Sequence, residues 1–195
     1  MDSAVALAQL YLRVNGYFTV TEYPVVEASR WGGTRSLTDV DILAFRFPGS
    51  GRLVGERFVT DPALRCPPDQ PDMLIGEVKE GKADLNRAAR DPAVLAAALA
   101  RFGCCGPDHV RGVVRELLAH GEARTAHGHG VRLVAFGASG DVPGVLTVHF
   151  GHVIDFLRTY VRENWEEIMA GRTKDPALDW IVIDEKARRG RDRDE

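Results

Sequence analysis

The spacing of apolar positions changes several times along the chain, and each change marks an element. Leu7, Leu10, Tyr11 and Val14 fall on one face of a helix over residues 4–14, with Ser3 as the expected cap and Gly16 as the stop. Residues 17–26, "YFTVTEYPVV", alternate and are rich in β-branched and aromatic side chains, which predicts a strand. After the polar loop "EASRWGGTRSLT", the stretch "DVDILAFRF" (39–47) predicts a second strand and "MLIGEVK" (73–79) a third. Residues 48–72 between them are dense in Gly, Pro and Asp and read as a loop excursion, with a short hairpin arm at "RLVGERFV".

Helical spacing then takes over. Asp91-Pro92 opens a helix carrying Val94, Leu95, Ala98, Leu99 and Phe102, and Gly103 ends it. Val110, Val113, Val114, Leu117 and Leu118 mark another, closed by Gly121. "VRLVAFG" and "GVLTVHF" predict two strands with a turn between them. The longest amphipathic stretch, residues 151–170, lines up Val153, Phe156, Leu157, Tyr160, Val161 and Trp165. Such a stripe is too apolar to face water, so it must pack on the sheet or on a second subunit, which leaves room for a homodimer. "DPALDWIVIDEKA" fits helix and strand equally well, and the charged run at 188–195 is expected to be a disordered tail. Interleaved strands and helices predict one α/β domain over residues 1–187, with a mixed central sheet flanked by helices.

Composition adds limits. With 195 residues, 45% hydrophobic and 27% charged, the chain has enough material for a core. A formal net charge of -3 removes any global basic signature of a nucleic-acid binder. No uncharged apolar run approaches the roughly 18 residues of a membrane span, and the first residues lack the pattern of a signal peptide. Cys66 and the pair Cys104-Cys105 make an odd set without C-x-x-C spacing, which suits a reducing cytoplasm rather than a disulfide framework or a zinc site.

Chemistry concentrates where charges interrupt the second and third strands. By alternation Asp39, Asp41 and Leu43 share one face, and Ile75, Glu77 and Lys79 share another. If the strands are neighbours, Asp39 or Asp41 stands beside Glu77 and Lys79. A carboxylate from each strand makes an oxygen-rich pocket for a hard cation such as Mg²⁺, and the cation removes their mutual repulsion. An ammonium on the same face can hold a phosphate oxygen or position water, an arrangement suited to metal-assisted phosphodiester hydrolysis.

"TDVDILAF", an excursion, then "LIGEVKEG" resembles the PD-(D/E)XK nuclease superfamily, which includes restriction endonucleases, Holliday-junction resolvases and RecB-type nucleases. The resemblance covers about residues 4–136 and implies a restriction-endonuclease-like αβββαβ core. The strand and long helix at about 144–187 form a C-terminal extension. It implies that Asp41 and Glu77 bind Mg²⁺, with Mn²⁺ as a substitute, and that Lys79 stabilises the transition state. Asp39 is the alternative first acid. The implied partner is nucleic acid, DNA ahead of RNA; the alternative is an inactive nuclease fold serving as a binding or regulatory module. Gln9 stands where many members carry an acid on the first helix, which speaks against a second metal. Asn86 is the polar amide nearest to a Gln that some members place after the Lys.

Other features carry less. Arg30, Trp31, Arg35 and Arg52, with Arg46 and Arg57, surround the second strand and are candidates to clamp a phosphate backbone and stack a base. His127 and His129 lack a third ligand pattern, and His149 and His152 read as capping or packing residues. No P-loop and no nucleophile elbow is present.

Overall fold

The computed structural model of the protein describes residues 2–28, 33–50, 60–171 and 175–194. Helix α1 (Ser3–Val14) is capped by Asp2, not Ser3: the Asp2 carboxylate accepts the Ala4 N–H at 2.8 Å. Gly16, at φ 83°, turns the chain into β1 (Phe18–Ala28), and β2 (Thr34–Arg46) follows. β3 (Asp72–Val78) lies beyond the excursion. Next come α2 (Pro92–Phe102), capped by Asp91 as its Asp-Pro pair predicts, and α3 (Pro107–His120). A three-residue strand β4 (Glu122–Arg124), too short to show in the sequence pattern, precedes β5 (Gly130–Gly137) and β6 (Leu146–His149). Three helices close the chain: α4 (Phe150–Glu163), α5 (Trp165–Ala170) and α6 (Pro176–Asp194).

The strands form one mixed, open six-stranded sheet in the order β1-β2-β3-β5-β4. β1, β2 and β3 make an antiparallel meander, and β5 joins β3 in parallel. The outer edge of β5 is shared, with β4 covering Gly130–Arg132 and β6 covering Val134–Gly137. β3 is therefore central and buried along its whole length. That explains why its sequence is a continuous apolar run rather than an alternating one.

Helices cover both faces. Ile42, Ala44, Leu74, Val134 and Phe136 pack against α1, α4 and α6, whereas Leu43, Met73, Ile75, Leu133 and Ala135 pack against α2 and α3. The Val153, Leu157 and Val161 stripe of α4 is fully buried in the first of these cores, as its apolarity requires. The expected single helix over 151–170 is instead two. Asn164, nearly buried, turns its side-chain amide onto the Tyr160 carbonyl at 2.9 Å and ends α4.

The ambiguous "DPALDWIVIDEKA" is helical, and α6 continues through Asp194, so residues 188–194 extend a helix rather than form the expected disordered tail. Asp175 caps it, accepting from the Ala177 and Leu178 N–H groups. Asp184 with Arg188 and Glu185 with Arg189 add pairs one turn apart. Leu178 and Val182 bury against the α1 side, and Arg13 of α1 reaches Asp175 at 2.9 Å. Among the described residues no helix is long and apolar enough to cross a membrane.

Candidate active site at the end of the central strand

Strict alternation along β2 would place Asp39, Asp41 and Leu43 on one face, but the strand departs from it. Val40 packs with Leu43 in the α2–α3 core, while Ile42 and Ala44 enter the α1 core. The alternation slips by one residue at Asp41, and β1 slips beside it. Phe18 and Val20 line a hollow with Leu43 and Phe45, yet Tyr23 and Val25 also lie on that side. Glu22, between Thr21 (opposite Ile42) and Tyr23 (opposite Val40), has φ 51°, uncommon for a residue other than glycine. The backbone ladder of β2 with β3 ends at Ile42 and Gly76. There Asp41 takes over, its Oδ2 accepting the Val78 N–H at 2.7 Å.

Glu77 faces the α2 side at this end and is 4% exposed. Its Oε1 accepts from Lys79 Nζ and from Asn86 Nδ2, each at 2.5 Å. Lys79 lies just past β3, its N–H on the Phe136 carbonyl and its side chain 39% exposed. The loop that returns to Asn86 is clamped to the end of β5. Ala83 donates to the Ser139 carbonyl at 2.8 Å and Ala138 to that of Gly81 at 2.7 Å. Gly137 permits this approach, since a Cβ there would lie 2.5 Å from the Ala83 nitrogen.

The charges at this end are not balanced. Burial pushes the Glu77 carboxyl up from its ordinary value; the hydrogen bond from Lys79 pulls it down, and the nearby Asp41 charge pushes it up again. For Lys79, burial works to lower the pKa, but its bond to Glu77 and the charges of Glu77, Asp41 and Asp84 outweigh that and raise it. Three carboxylates thus act on a single ammonium. Two of them, Asp41 and Glu77, are hard oxygen donors from adjacent strands, a set that suits Mg²⁺ completed by water or phosphate oxygens. A cation between them would relieve the repulsion that helps raise Glu77. Among the described residues no group of three or more His, Cys, Asp or Glu side chains is placed to hold a metal.

The remaining candidates fall elsewhere. Asp39 is exposed and lines, with Glu77, Leu85 and Ala88, a crevice of only about 10 Å³. Gln9 donates to Thr19 of β1 at 3.2 Å. Arg35 is paired with Glu27 across the β1–β2 hairpin. Arg46 is buried, donating to the carbonyls of Asn15 and Ser50 and to Thr60, so it braces the fold rather than offering itself to a phosphate. Arg30, Trp31, Arg52, Arg57 and the hairpin arm lie outside the described residues. His127 and His129 stack loosely with centroids 6.0 Å apart. The three cysteines are free, and burial together with Cys105 pushes the Cys104 thiol up to about 12.

Two polar clusters had no signal in the sequence. At the start of β3, Asp72 accepts from Tyr17 at 2.5 Å and from Arg132 Nε at 2.9 Å, with a second contact from the same guanidinium, and Arg132 also reaches the Leu64 carbonyl. Near α1, buried Asp61 accepts from Tyr11 at 2.7 Å and pairs with His152 Nε2 at 2.6 Å, pinning the end of the excursion to α1 and α4. These partners lie far apart in sequence, so no local spacing could reveal them. A cavity of about 810 Å³ opens at the Asp72 end. Its lining arginines, Arg65, Arg124 and Arg132, are matched in number by Asp72, Glu122 and Asp141, so it shows no net preference for an anion.

Comparison with protein families, with curated proteins and with solved structures finds no match.

Proposed function

We propose that this chain is a metal-dependent nuclease, hydrolysing phosphodiester bonds of DNA in preference to RNA on a restriction-endonuclease-like core, in a reducing cytoplasm. One observation supports the reading above others: a buried glutamate paired with one lysine feels the charge of an aspartate on the neighbouring strand, whose carboxylate takes the Val78 N–H where the β2–β3 ladder ends. Buried acids are ordinarily neutralised by their partners. Here the carboxylate excess persists, which is what a divalent cation would complete. The chain order also fits: α1, a three-strand meander, α2, then β5 parallel to β3, with α3 and β4 added between.

Asp41 and Glu77 would hold the metal. When bound, Mg²⁺ polarises the phosphate and makes water acidic enough to attack. Lys79 would leave Glu77 Oε1 for a non-bridging phosphate oxygen and stabilise the charge that grows there. Asp84, exposed at the mouth, helps keep that lysine protonated.

The rival reading, a nuclease fold kept as a binding module, is favoured by one feature. The described crevice beside Glu77 holds about one water, so a substrate must engage the rim. Cleavage of duplex, single-stranded and branched DNA with Mg²⁺ or Mn²⁺ decides between them. Activity lost in Glu77→Gln and Lys79→Ala supports the enzyme. Folded wild-type protein that is inert on every substrate and binds no metal establishes the rival.

A further inference from the structure

We propose that Asn86 is a positioning residue for Glu77, holding its Oε1 in place and leaving Oε2 as the oxygen offered to a divalent cation. The metal half of this inference rests on the nuclease reading above; the positioning half does not. Lys79 and Asn86 both donate to Oε1, and among the described residues no hydrogen bond reaches Oε2. The orientation of the Asn86 amide is fixed independently. Its Oδ1 accepts the Ala89 N–H at 2.8 Å, so only the NH₂ group can face Glu77. The backbone under it is fixed as well, by buried Ala83 and Leu85 and by the two bonds between this loop and the end of β5.

The two donors differ in what they can do next. Lys79 is part-exposed on a long flexible stem and can exchange a carboxylate for a phosphate. Asn86 is short and half-buried, and both ends of its amide are already engaged. It therefore holds the Glu77 rotamer through the step in which Lys79 departs. Being neutral, it does so without adding a positive charge that would repel the cation. Outer groups that orient metal ligands act in this way.

The test separates orientation from capping. Asn86→Ser keeps a side-chain oxygen able to accept the Ala89 N–H but is too short to reach Glu77. The Glu77 carboxyl is followed by ¹³C NMR in metal-free protein, and Mn²⁺ alone is titrated by EPR. Asn86→Ser should raise the Glu77 midpoint by about one pH unit, the loss of one hydrogen bond to the charged form. It should weaken Mn²⁺ binding about tenfold. Asn86→Asp keeps the cap and sets a second charge against Oε1, so it should raise the midpoint further. A Glu77 midpoint unchanged in both folded variants overturns the proposal. An unchanged Mn²⁺ affinity alongside a shifted midpoint overturns its metal half. Wild-type protein that binds no Mn²⁺ overturns the nuclease reading instead, while the metal-free titration still decides whether Asn86 holds Glu77.

Discussion

β3 carries a buried acid at each end, and the two are treated in opposite ways. Asp72, 1% exposed, meets a guanidinium squarely and a tyrosine hydroxyl besides. Glu77, 4% exposed, meets one part-exposed lysine and is pushed toward protonation by burial and by the nearby Asp41 charge. At the Asp72 end the pairing is strong enough to raise the Arg132 pKa against the opposing effect of burial, and burial with the Asp72 charge drives the Tyr17 hydroxyl well above its usual range. One end is a closed polar network that braces the fold. The other keeps unrelieved charge in a rigid frame, which is how a site differs from a strut.

The contrast can be broken most forcefully at Asp72. Arg132→Ala leaves that carboxylate buried without its cation and should cost about 3–5 kcal/mol in urea unfolding. Combining Asp72→Leu with Arg132→Met should recover much of the loss, because the cost lies in the unpaired charge rather than in the absent pair. Next in size is Lys79→Ala in a cleavage assay. It should lower kcat about 10²–10³-fold, the scale of removing one group that stabilises developing charge.

Glu77→Gln tests the other side of the comparison. The folded protein holds the Glu77 proton more tightly than the unfolded chain does, so wild-type stability falls as pH rises above the ordinary carboxyl value of 4.5. The variant lacks that dependence. Its Tm should exceed the wild type's near pH 8, with the gap closing as pH falls toward 4.5. A wild-type Tm higher than the variant's at pH 8 would mean that Lys79 satisfies Glu77 as fully as Arg132 satisfies Asp72. Smallest is the effect of Lys79→Ala on stability near pH 4.5, within about 1 kcal/mol by thermal melting, since its amine is part-exposed and Glu77 largely holds its proton there.

How much of this was legible follows from range. The meander, the Asp91-Pro92 cap and the α4 stripe rest on spacing within a few residues, and they were readable. So was the placing of Asp41 and Glu77 on adjacent strands, with Lys79 beside Glu77. The slip at Asp41 was not, because nothing local marks Glu22 for a positive φ. The partnership of Asp72 with Arg132 spans 60 residues and that of Tyr11 with Asp61 spans 50, so neither has a local pattern. Asn86 was visible as an amide, but its contact with Glu77 depends on a loop held by the far end of β5. The end of α4 at Asn164 turns on one side-chain bond to a carbonyl, which helical periodicity does not register.

The docking of α6 on α1 has a consequence in time. Arg13 and Asp175, which join these helices, are 162 residues apart. The apolar face of α1 thus waits for Leu178 and Val182, which are synthesised long after it. The α2–α3 core is complete once β5 and Val142 have been made, so it closes over shorter loops. Loop closure across the other side is slow, and an uncovered apolar surface invites association while it lasts. Refolding should therefore pass through a species with one finished face and one sticky face, and the rate of its last step should set the yield at high protein concentration.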